Sequence, residues 1–228
     1  MGIDGTKILF PSNEHTTPGY LVKPTEGEGF PGVVVIQEWW GITEHVKDVT
    51  ERFASAGFVA MAPDLYHGEV AAEPNEARKL AMALDRERAI EEISSAAKYL
   101  AGLDEVGPEK IGIVGWCMGG GLCLSTAAHN GVIGAAVVFY GRPLDANDTA
   151  RVNAPVLGHY GELDDGIPVS MVRDFEAELE RNDIPNAIHV YANAQHAFFN
   201  DTRPRAYNED AARDAWERTL DWFKKYLV

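Results

Sequence analysis

The sequence predicts an α/β fold in which a mainly parallel sheet is flanked by helices on both faces. The first observation is a continuous β-branched run at residues 31–37, PGVVVIQ, which is typical of a strand buried on both faces. The second is the helical spacing of apolar residues in residues 43–57, where Gly57 is suited to end the helix. The third is that strand and helix alternate to the end of the chain, an order that requires mainly parallel strands.

The remaining elements follow from the same patterns, in order along the chain. Two early segments, residues 6–10 and 19–23, are expected to pair as antiparallel edge strands. Further strands are predicted at residues 58–62, 110–114, 134–140, 155–160 and 187–191. Further helices are predicted at residues 76–103, with a break near Asp85, and at residues 118–130, 169–182 and 209–226. The last helix is expected to bury an apolar face made of Ala212, Trp216, Leu220 and Phe223.

Composition identifies a globular protein and narrows its partners. The 228 residues are 46% hydrophobic and carry a formal net charge of −15. This length fits one domain covering residues 1–228, in which no linker or repeat is visible. A strongly acidic surface repels nucleic-acid phosphates and anionic lipid headgroups, so neither nucleic acid nor a membrane is an expected partner.

The sequence contains no recognisable targeting or membrane-spanning segment. The first ten residues lack a basic start followed by an apolar run, and the longest apolar runs are too short to cross a bilayer. We therefore expect a cytoplasmic protein in which Cys117 and Cys123 remain free thiols. No group of histidines and cysteines has the spacing of zinc ligands, and neither a metal nor a cofactor is expected.

A glycine-rich turn follows the predicted strand at residues 110–114. It reads Gly115-Trp116-Cys117-Met118-Gly119-Gly120, the G-x-S-x-G nucleophile-elbow pattern with cysteine in place of serine. Such a turn holds the cysteine at a helix N-terminus, where the dipole favours a thiolate, and leaves the N–H of Met118 free to bind an oxyanion. The alternative interpretation is a tight turn with a buried cysteine. Cys123 lacks this context and is predicted to be a core residue.

Residues suited to be a general base and its acidic partner follow the last two predicted strands. Asp164 and Asp165 lie in the loop after the first of these strands, and His196 lies in the loop after the second. Triads on such sheets run in the chain order nucleophile, acid, histidine, which makes His196 the predicted base and one aspartate its partner. The other aspartate is expected to serve the turn. Among the remaining histidines, His67 follows an earlier strand and is suited to line a pocket.

These residues resemble the dienelactone hydrolase family of α/β-hydrolases over nearly the whole chain. Four segments carry the resemblance: Gln37-Glu38-Trp39-Trp40-Gly41, Ala62-Pro63-Asp64-Leu65-Tyr66, Gly115-Trp116-Cys117-Met118-Gly119-Gly120 and His196-Ala197-Phe198. A further match, Asp-x-x-Ile-Pro at residues 164–168, selects Asp164 over Asp165. The resemblance implies an α/β-hydrolase fold and carboxymethylenebutenolidase-like hydrolysis of a lactone or small ester through a cysteine nucleophile.

The resemblance also assigns roles to residues outside the triad. In the family, a glutamate at the position of Glu38 contacts the resting cysteine and helps to generate the thiolate. The backbone N–H of Trp39 would be the second oxyanion donor. The resulting substrate-pocket candidates are Trp40, Tyr66, His67, Tyr140, Phe198 and Asn200.

The chain departs from the family at the residues that hold the substrate carboxylate. The two arginines of the family's best-known enzyme fall at Gly68 and Asn200, and the residue after the histidine is Ala197 rather than serine. The candidate replacements for these arginines are Arg142, Arg203 and Arg205. The sequence leaves the identity of the ester or lactone open and predicts a monomer or small homo-oligomer acting on a small molecule. The alternatives are a thioesterase or general carboxylesterase and, in another class, a non-catalytic binding protein on a hydrolase scaffold.

Overall fold

An eight-stranded sheet forms the centre of the structure, a computed structural model that describes residues 2–13, 15–129 and 131–228. The strands are β1 (Ile3–Ser12), β2 (His15–Pro24), β3 (Gly32–Ile36), β4 (Val59–Pro63), β5 (Ile111–Trp116), β6 (Ile133–Phe139), β7 (Val156–Gly161) and β8 (Asn186–Tyr191). They lie in the order β1-β2-β4-β3-β5-β6-β7-β8. The six strands β3 to β8 pair in parallel, whereas β1 and β2 form an antiparallel hairpin that joins the sheet at β4. The predicted mainly parallel sheet is therefore confirmed.

Helices cover both faces of this sheet. They are α1 (Glu44–Ser55), α2 (Pro74–Ala83), α3 (Arg86–Ala101), α4 (Met118–His129), α5 (Ala146–Thr149), α6 (Val169–Arg181) and α7 (Glu209–Leu227). One apolar core joins the sheet to α3, α4 and α6, and a second core on the opposite face joins it to α1 and α7. The α/β-hydrolase architecture follows from these two cores.

The central strand β3 explains why its sequence is apolar without alternation. Val34 and Ile36 enter the core beneath α3 and α4, whereas Val33 and Val35 enter the core beneath α1 and α7. All four side chains are fully buried. Because successive residues of a strand point to opposite faces, burial on both faces requires an apolar residue at every position.

Several predicted boundaries differ from the observed ones. The predicted segments 6–10 and 19–23 lie within ten-residue strands, because β1 and β2 pair along their whole lengths. The break predicted near Asp85 is present, and Asp85 caps α3 by accepting hydrogen bonds from two backbone N–H groups of its first turn. Strand β5 continues beyond residue 114 to Trp116 because Gly115 and Trp116 still pair with β6. The four-residue helix α5 was not predicted, because so short a segment has no detectable apolar period.

The C-terminal helix α7 packs its predicted apolar face against the second core. The buried face of α7 is lined chiefly by small residues, Ala211, Ala212, Ala215 and Thr219, with Phe223 and Leu227 towards its end. Trp216 and Leu220, which were predicted on the apolar face, pack against the second core at the margin of this face and are partly exposed. Small residues allow the helix to approach the sheet closely, which leaves larger side chains at the edge of the contact. The last residue of the predicted helix 118–130, Asn130, lies outside the described residues.

The carboxyl edge of the parallel strands collects the predicted functional residues. Glu38 follows β3, Cys117 follows β5, Asp164 follows β7 and His196 follows β8. This edge is where open α/β sheets form their sites. Across the residues that the structure describes, no helix is both long enough and apolar enough to cross a membrane.

Candidate active site

Cys117 occupies the turn between β5 and α4. Its φ of +55° lies in the left-handed region, its N–H donates to the carbonyl of Phe139 (3.0 Å), and its carbonyl accepts a bond from the N–H of Gly120 (3.1 Å). A non-glycine residue in this region costs about 1–3 kcal/mol and persists only where surrounding contacts impose it. This backbone conformation presents the thiol to a cleft above the sheet edge, where it is partly exposed.

Two glycines permit the tight turn around Cys117. A Cβ atom on Gly115 would overlap the backbone of Gly119, and a Cβ atom on Gly119 would overlap the carbonyl of Gln37. The elbow is therefore packed, backbone against backbone, on the end of β3. This contact brings the residues that follow Gln37 to the side of the cysteine.

Asp164 and His196 meet across the loops after β7 and β8. The Nδ1 atom of His196 lies 2.6 Å from Oδ2 of Asp164, while Oδ1 of the same carboxylate accepts bonds from the N–H groups of Gly166 (2.9 Å) and Ile167 (3.2 Å). Asp164 is buried, whereas its neighbour Asp165 is exposed. One carboxylate oxygen thus fixes the loop and the other orients the imidazole, which is the geometry that a histidine–carboxylate pair requires.

The surroundings of His196 favour its protonated form. Burial lowers the pKa of His196, but the hydrogen bonds and negative charges of Asp164 and Cys117 outweigh this effect and raise the pKa to about 10. The imidazole is thus bonded to a carboxylate and lines the same cleft as the thiol of Cys117. This arrangement is suited to hold an imidazolium beside a thiolate and to move a proton between sulfur and a leaving group.

Two backbone N–H groups flank the thiol. Met118 is the first residue of α4 and Trp39 lies in the loop after β3, and both residues line the cleft beside Cys117. Within the described part of the chain, neither N–H donates a hydrogen bond to another residue. Such unsatisfied donors at a helix start and a strand end are suited to bind a developing oxyanion.

Glu38 is buried beside this site and is held by two side chains. Its Oε2 accepts a hydrogen bond from the Asn200 amide (2.9 Å), and its Oε1 accepts a longer one from the Tyr140 hydroxyl (3.4 Å). Across residues 2–13, 15–129 and 131–228, no hydrogen bond joins Glu38 to Cys117. In this structure the Glu38 carboxylate is held by Asn200 and Tyr140, and its proposed role towards Cys117 stays a prediction.

The cleft around Cys117 has a volume of about 360 Å³ and a mixed lining. One side is apolar, with Pro143, Leu144 and Ile167 among its residues. Two arginines, Arg86 at the start of α3 and Arg142 after β6, also line it. Both are exposed, and neither has an ion-pair partner among the residues that the structure describes.

Of the six substrate-pocket candidates, Tyr140 lines the cleft. Phe198 is fully buried in the core, and Asn200 is turned inward to Glu38. Trp40 packs against Trp39 at 5.1 Å. The other two candidates, Tyr66 and His67, line a neighbouring cavity of about 370 Å³ beneath α2. Sequence proximity to a motif did not decide which residues face the cleft, because Tyr66, Phe198 and Asn200 are buried and His67 is exposed outside it.

Of the two arginines that line the cleft, the sequence predicted one. Arg142 was among the candidates, whereas Arg203 stacks on the Trp40 ring at 4.6 Å and Arg205 is exposed away from the cleft lining. Arg86 was missed. The only sequence feature that could have indicated it is the predicted break at Asp85, which turns the chain and starts α3 over the cleft.

Comparisons with known proteins identify the family of this chain. The family model of the dienelactone hydrolase family matches residues 17–227. A Methylorubrum extorquens protein named "Putative carboxymethylenebutenolidase" is 33% identical over 244 aligned residues, which cover 100% of this chain and 83% of that protein. "Protein usf" of Aquifex pyrophilus is 34% identical over 232 residues, covering 98% of this chain and 100% of its own length.

A solved structure supports the same assignment. The crystal structure of a "Putative Dienelactone Hydrolase" from Klebsiella pneumoniae superposes with a TM-score of 0.92 at 30% identity and covers 99% of this chain and 100% of its own. The family match spans most of the chain and includes every strand of the parallel sheet. The chain therefore belongs to the dienelactone hydrolase family, a family of hydrolases with the α/β-hydrolase fold.

Proposed function

We propose that this protein hydrolyses lactones or small carboxylic esters and that Cys117 is its nucleophile. The observation that carries the proposal is the convergence of three side chains from three strand ends. His196 lies 2.6 Å from the carboxylate of Asp164 and lines the same cleft as Cys117. The name carboxymethylenebutenolidase, borne by several relatives, denotes hydrolysis of a butenolide lactone and supports the same substrate class.

The reaction proceeds through a thioester. The Cys117 thiolate attacks the carbonyl carbon, and the N–H groups of Met118 and Trp39 stabilise the oxyanion. The imidazolium of His196 donates its proton to the departing alkoxide, which leaves as the alcohol. Water then attacks the thioester while neutral His196 accepts its proton, and the acid and the free cysteine are released.

The nucleophile restricts the substrates to those with a good leaving group. A thiolate leaves a tetrahedral adduct more readily than an unprotonated amine does, so an amide is expected to react more slowly than an ester. An alkoxide activated by the His196 proton competes with the thiolate and can leave. Esters and lactones are therefore the proposed substrates, and amides are not.

The two cleft arginines favour substrates that carry an anionic group. Arg86 and Arg142 place two positive charges at the cleft of a chain with a formal net charge of −15. A locally cationic cleft on an acidic protein attracts an anion that the remaining surface repels. The preferred ester or lactone is therefore expected to bear a carboxylate or a similar acidic group.

The experiment that tests the proposed function compares three substrate types on one set of variants. Purified protein is assayed with a lactone, an aryl ester and an acyl thioester of the same acyl chain. We expect Cys117→Ala to abolish hydrolysis of all three, whereas Cys123→Ala retains it because Cys123 is buried in the core away from the cleft. Thioester hydrolysis far exceeding that of lactone and ester would reassign the protein as a thioesterase. Unchanged turnover in Cys117→Ala would contradict the mechanism, and no turnover by the wild type would favour a binding protein.

A further inference from the structure

Tyr66 touches both residues whose N–H groups flank the thiol. Its hydroxyl lies 3.2 Å from the carbonyl oxygen of Trp39 and 3.5 Å from the Met118 sulfur, as a donor to either. Trp39 follows β3 and Met118 begins α4, so this hydroxyl links two separate segments of the chain. A hydroxyl has one hydrogen to donate, and within the described part of the chain its acceptors belong to this pair of residues.

We propose that Tyr66 is a positioning residue that holds the oxyanion-binding N–H groups of Trp39 and Met118 in place, an inference that rests on the proposed function. The Tyr66 hydroxyl acts on the carbonyl of Trp39, which belongs to the peptide after that residue. Holding this peptide restricts rotation about the Cα–C bond of Trp39 and so limits how far the preceding peptide, which carries the Trp39 N–H, can turn. The sulfur contact adds a restraint on Met118 from the same atom.

The loop that carries Trp39 has few other restraints near that residue. The N–H of Gly41 donates to the Glu38 carbonyl at a long 3.4 Å, and Gly41 itself has a φ of +91°. The next restraint is the bond from the N–H of Ala71 to the carbonyl of Trp40 (2.9 Å). The hydroxyl of Tyr66 is thus the side-chain donor that acts directly on the Trp39 peptide.

Tyr66 is itself firmly held. The Asp64 carboxylate accepts bonds from the N–H groups of Tyr66 (3.2 Å) and Gly68 (2.8 Å), which closes the turn around the tyrosine. His67, at a φ of +52°, anchors the same turn because its Nε2 lies 3.0 Å from the buried carboxylate of Glu92. A side chain fixed in this way can transmit its own position to a neighbouring loop.

The tyrosine also remains a hydrogen-bond donor over the working pH range. Burial and the nearby charge of Cys117 raise the pKa of Tyr66 to about 12, so the hydroxyl keeps its proton at neutral pH. The described residues that line the Cys117 cleft do not include Tyr66. It therefore acts through Trp39 and Met118 rather than by contact with substrate.

Tyr66→Phe in the full chain tests this inference, because it removes the hydroxyl and keeps the buried ring. Two rates are measured on the same preparation: single-turnover acylation of Cys117 by an aryl ester, and alkylation of Cys117 by iodoacetamide. Acylation forms an oxyanion, whereas alkylation is a displacement at a saturated carbon that forms none. Loss of a whole oxyanion donor lowers rates by about 10²–10³-fold, so we expect misalignment to lower acylation about tenfold and to leave alkylation unchanged.

Two further variants sharpen this test. Tyr160→Phe is the matched control, because Tyr160 is fully buried and its hydroxyl has no hydrogen-bond partner in the described part of the chain. We expect both of its rates to equal those of the wild type. Met118→Leu removes the sulfur contact and keeps the bond to the Trp39 carbonyl, so its acylation rate is expected to fall less than that of Tyr66→Phe.

The outcomes separate this inference from the proposed function. A wild type that forms no acyl-enzyme would overturn the proposed function, and this inference with it. A wild type that acylates normally beside a Tyr66→Phe variant of equal acylation rate would overturn the inference alone. Equal losses of acylation and alkylation in Tyr66→Phe would also overturn it, because they would indicate a displaced cysteine rather than misaligned N–H groups.

Discussion

Two histidines of this protein, His196 and His159, are each connected to an aspartate, yet they are driven to opposite protonation states. His196 contacts Asp164 directly, at 2.6 Å, and its pKa is raised to about 10. His159 lies in β7 with its Nδ1 3.0 Å from the Tyr191 hydroxyl, which in turn donates to Asp214 (2.9 Å). The carboxylate is thus one hydroxyl further from His159 than from His196.

The two histidines differ in pKa because they differ in burial and in the charged groups that reach each imidazole. His159 is fully buried, and burial together with the neighbouring His189 lowers its pKa well below the ordinary value, because Asp214 acts only from a distance. His196 is partly exposed, and a direct carboxylate and the Cys117 thiol outweigh its burial. The hydrogen bonds and charges that reach the imidazole therefore outweigh burial at His196 but not at His159.

Replacing His196 is expected to cause the greatest loss of activity among the histidine and aspartate variants of this protein. His196→Ala removes the group that moves protons between Cys117 and the leaving group, so hydrolysis of an aryl ester is expected to fall on the order of 10⁵-fold. The measurement is steady-state kcat/KM, with the exposed His129, changed to alanine, as the control that keeps wild-type activity. A loss of kcat/KM of less than tenfold in His196→Ala would show that His196 is not the group that transfers protons during hydrolysis.

Asp164, the carboxylate that contacts His196 directly, is expected to be the next most important residue for activity. Asp164→Asn keeps the shape of the side chain but removes its charge, and kcat/KM is expected to fall on the order of 10⁴-fold. Asp165→Asn is the matched control, because Asp165 is exposed beside the same loop, and it is expected to stay within about twofold of the wild type. A greater loss in Asp165→Asn than in Asp164→Asn would reassign the acid.

The same Asp164→Asn variant also tests the origin of the raised pKa. With the charge of Asp164 removed, burial opposes protonation with less compensation, and the pKa of His196 is expected to move down from about 10. An NMR titration of the imidazole ring protons measures this shift, and the unchanged pKa of His159 serves as the internal control. An unchanged pKa of His196 would show that Asp164 does not control its protonation.

The smallest expected effect concerns stability. His159→Leu removes an imidazole that bonds to Tyr191 inside the protein and is expected to lower the free energy of unfolding by about 1–3 kcal/mol without changing kcat. Because the pKa of His159 is lower in the folded than in the unfolded protein, this group destabilises the fold as pH falls below the unfolded value of about 6.5. The contribution approaches about 1.4 kcal/mol per pH unit, and His159→Leu lacks it. Urea unfolding between pH 7 and pH 5 measures the free energy of unfolding and its dependence on pH. If this free energy changed equally with pH in the wild type and in His159→Leu, His159 would not be the source of the effect.

Local patterns made the strands, the elbow and the three triad candidates predictable. A strand buried on both faces must be apolar at every position, as in β3, and the turn at Cys117 requires glycine where backbones touch. The order Cys117, Asp164, His196 follows from the strands because successive parallel strands end at one edge. These features depend on a few neighbouring residues or on the order of the strands along the chain.

Features that depend on distant contacts could not be predicted from the sequence. Arg86 reaches the cleft only because α3 starts above it, and Asn200 faces Glu38 across 162 positions of the chain. Nothing near Tyr66 in the sequence indicates that its hydroxyl meets Trp39 and Met118. Such contacts depend on how loops from different strands pack together, and the local periodicity of the sequence does not predict them.

Trapping the acyl-enzyme intermediate tests whether Cys117 becomes acylated with His196 as its proton donor and acceptor. The protein is mixed briefly with a slowly hydrolysed aryl ester, quenched in acid and analysed by intact-mass and peptide mass spectrometry. We predict one acyl group per chain on Cys117 in the wild type, its slower loss in Asp164→Asn, and none in Cys117→Ala. Acyl label on another residue of the cleft, such as Ser125, or turnover without any label on Cys117 would contradict the account.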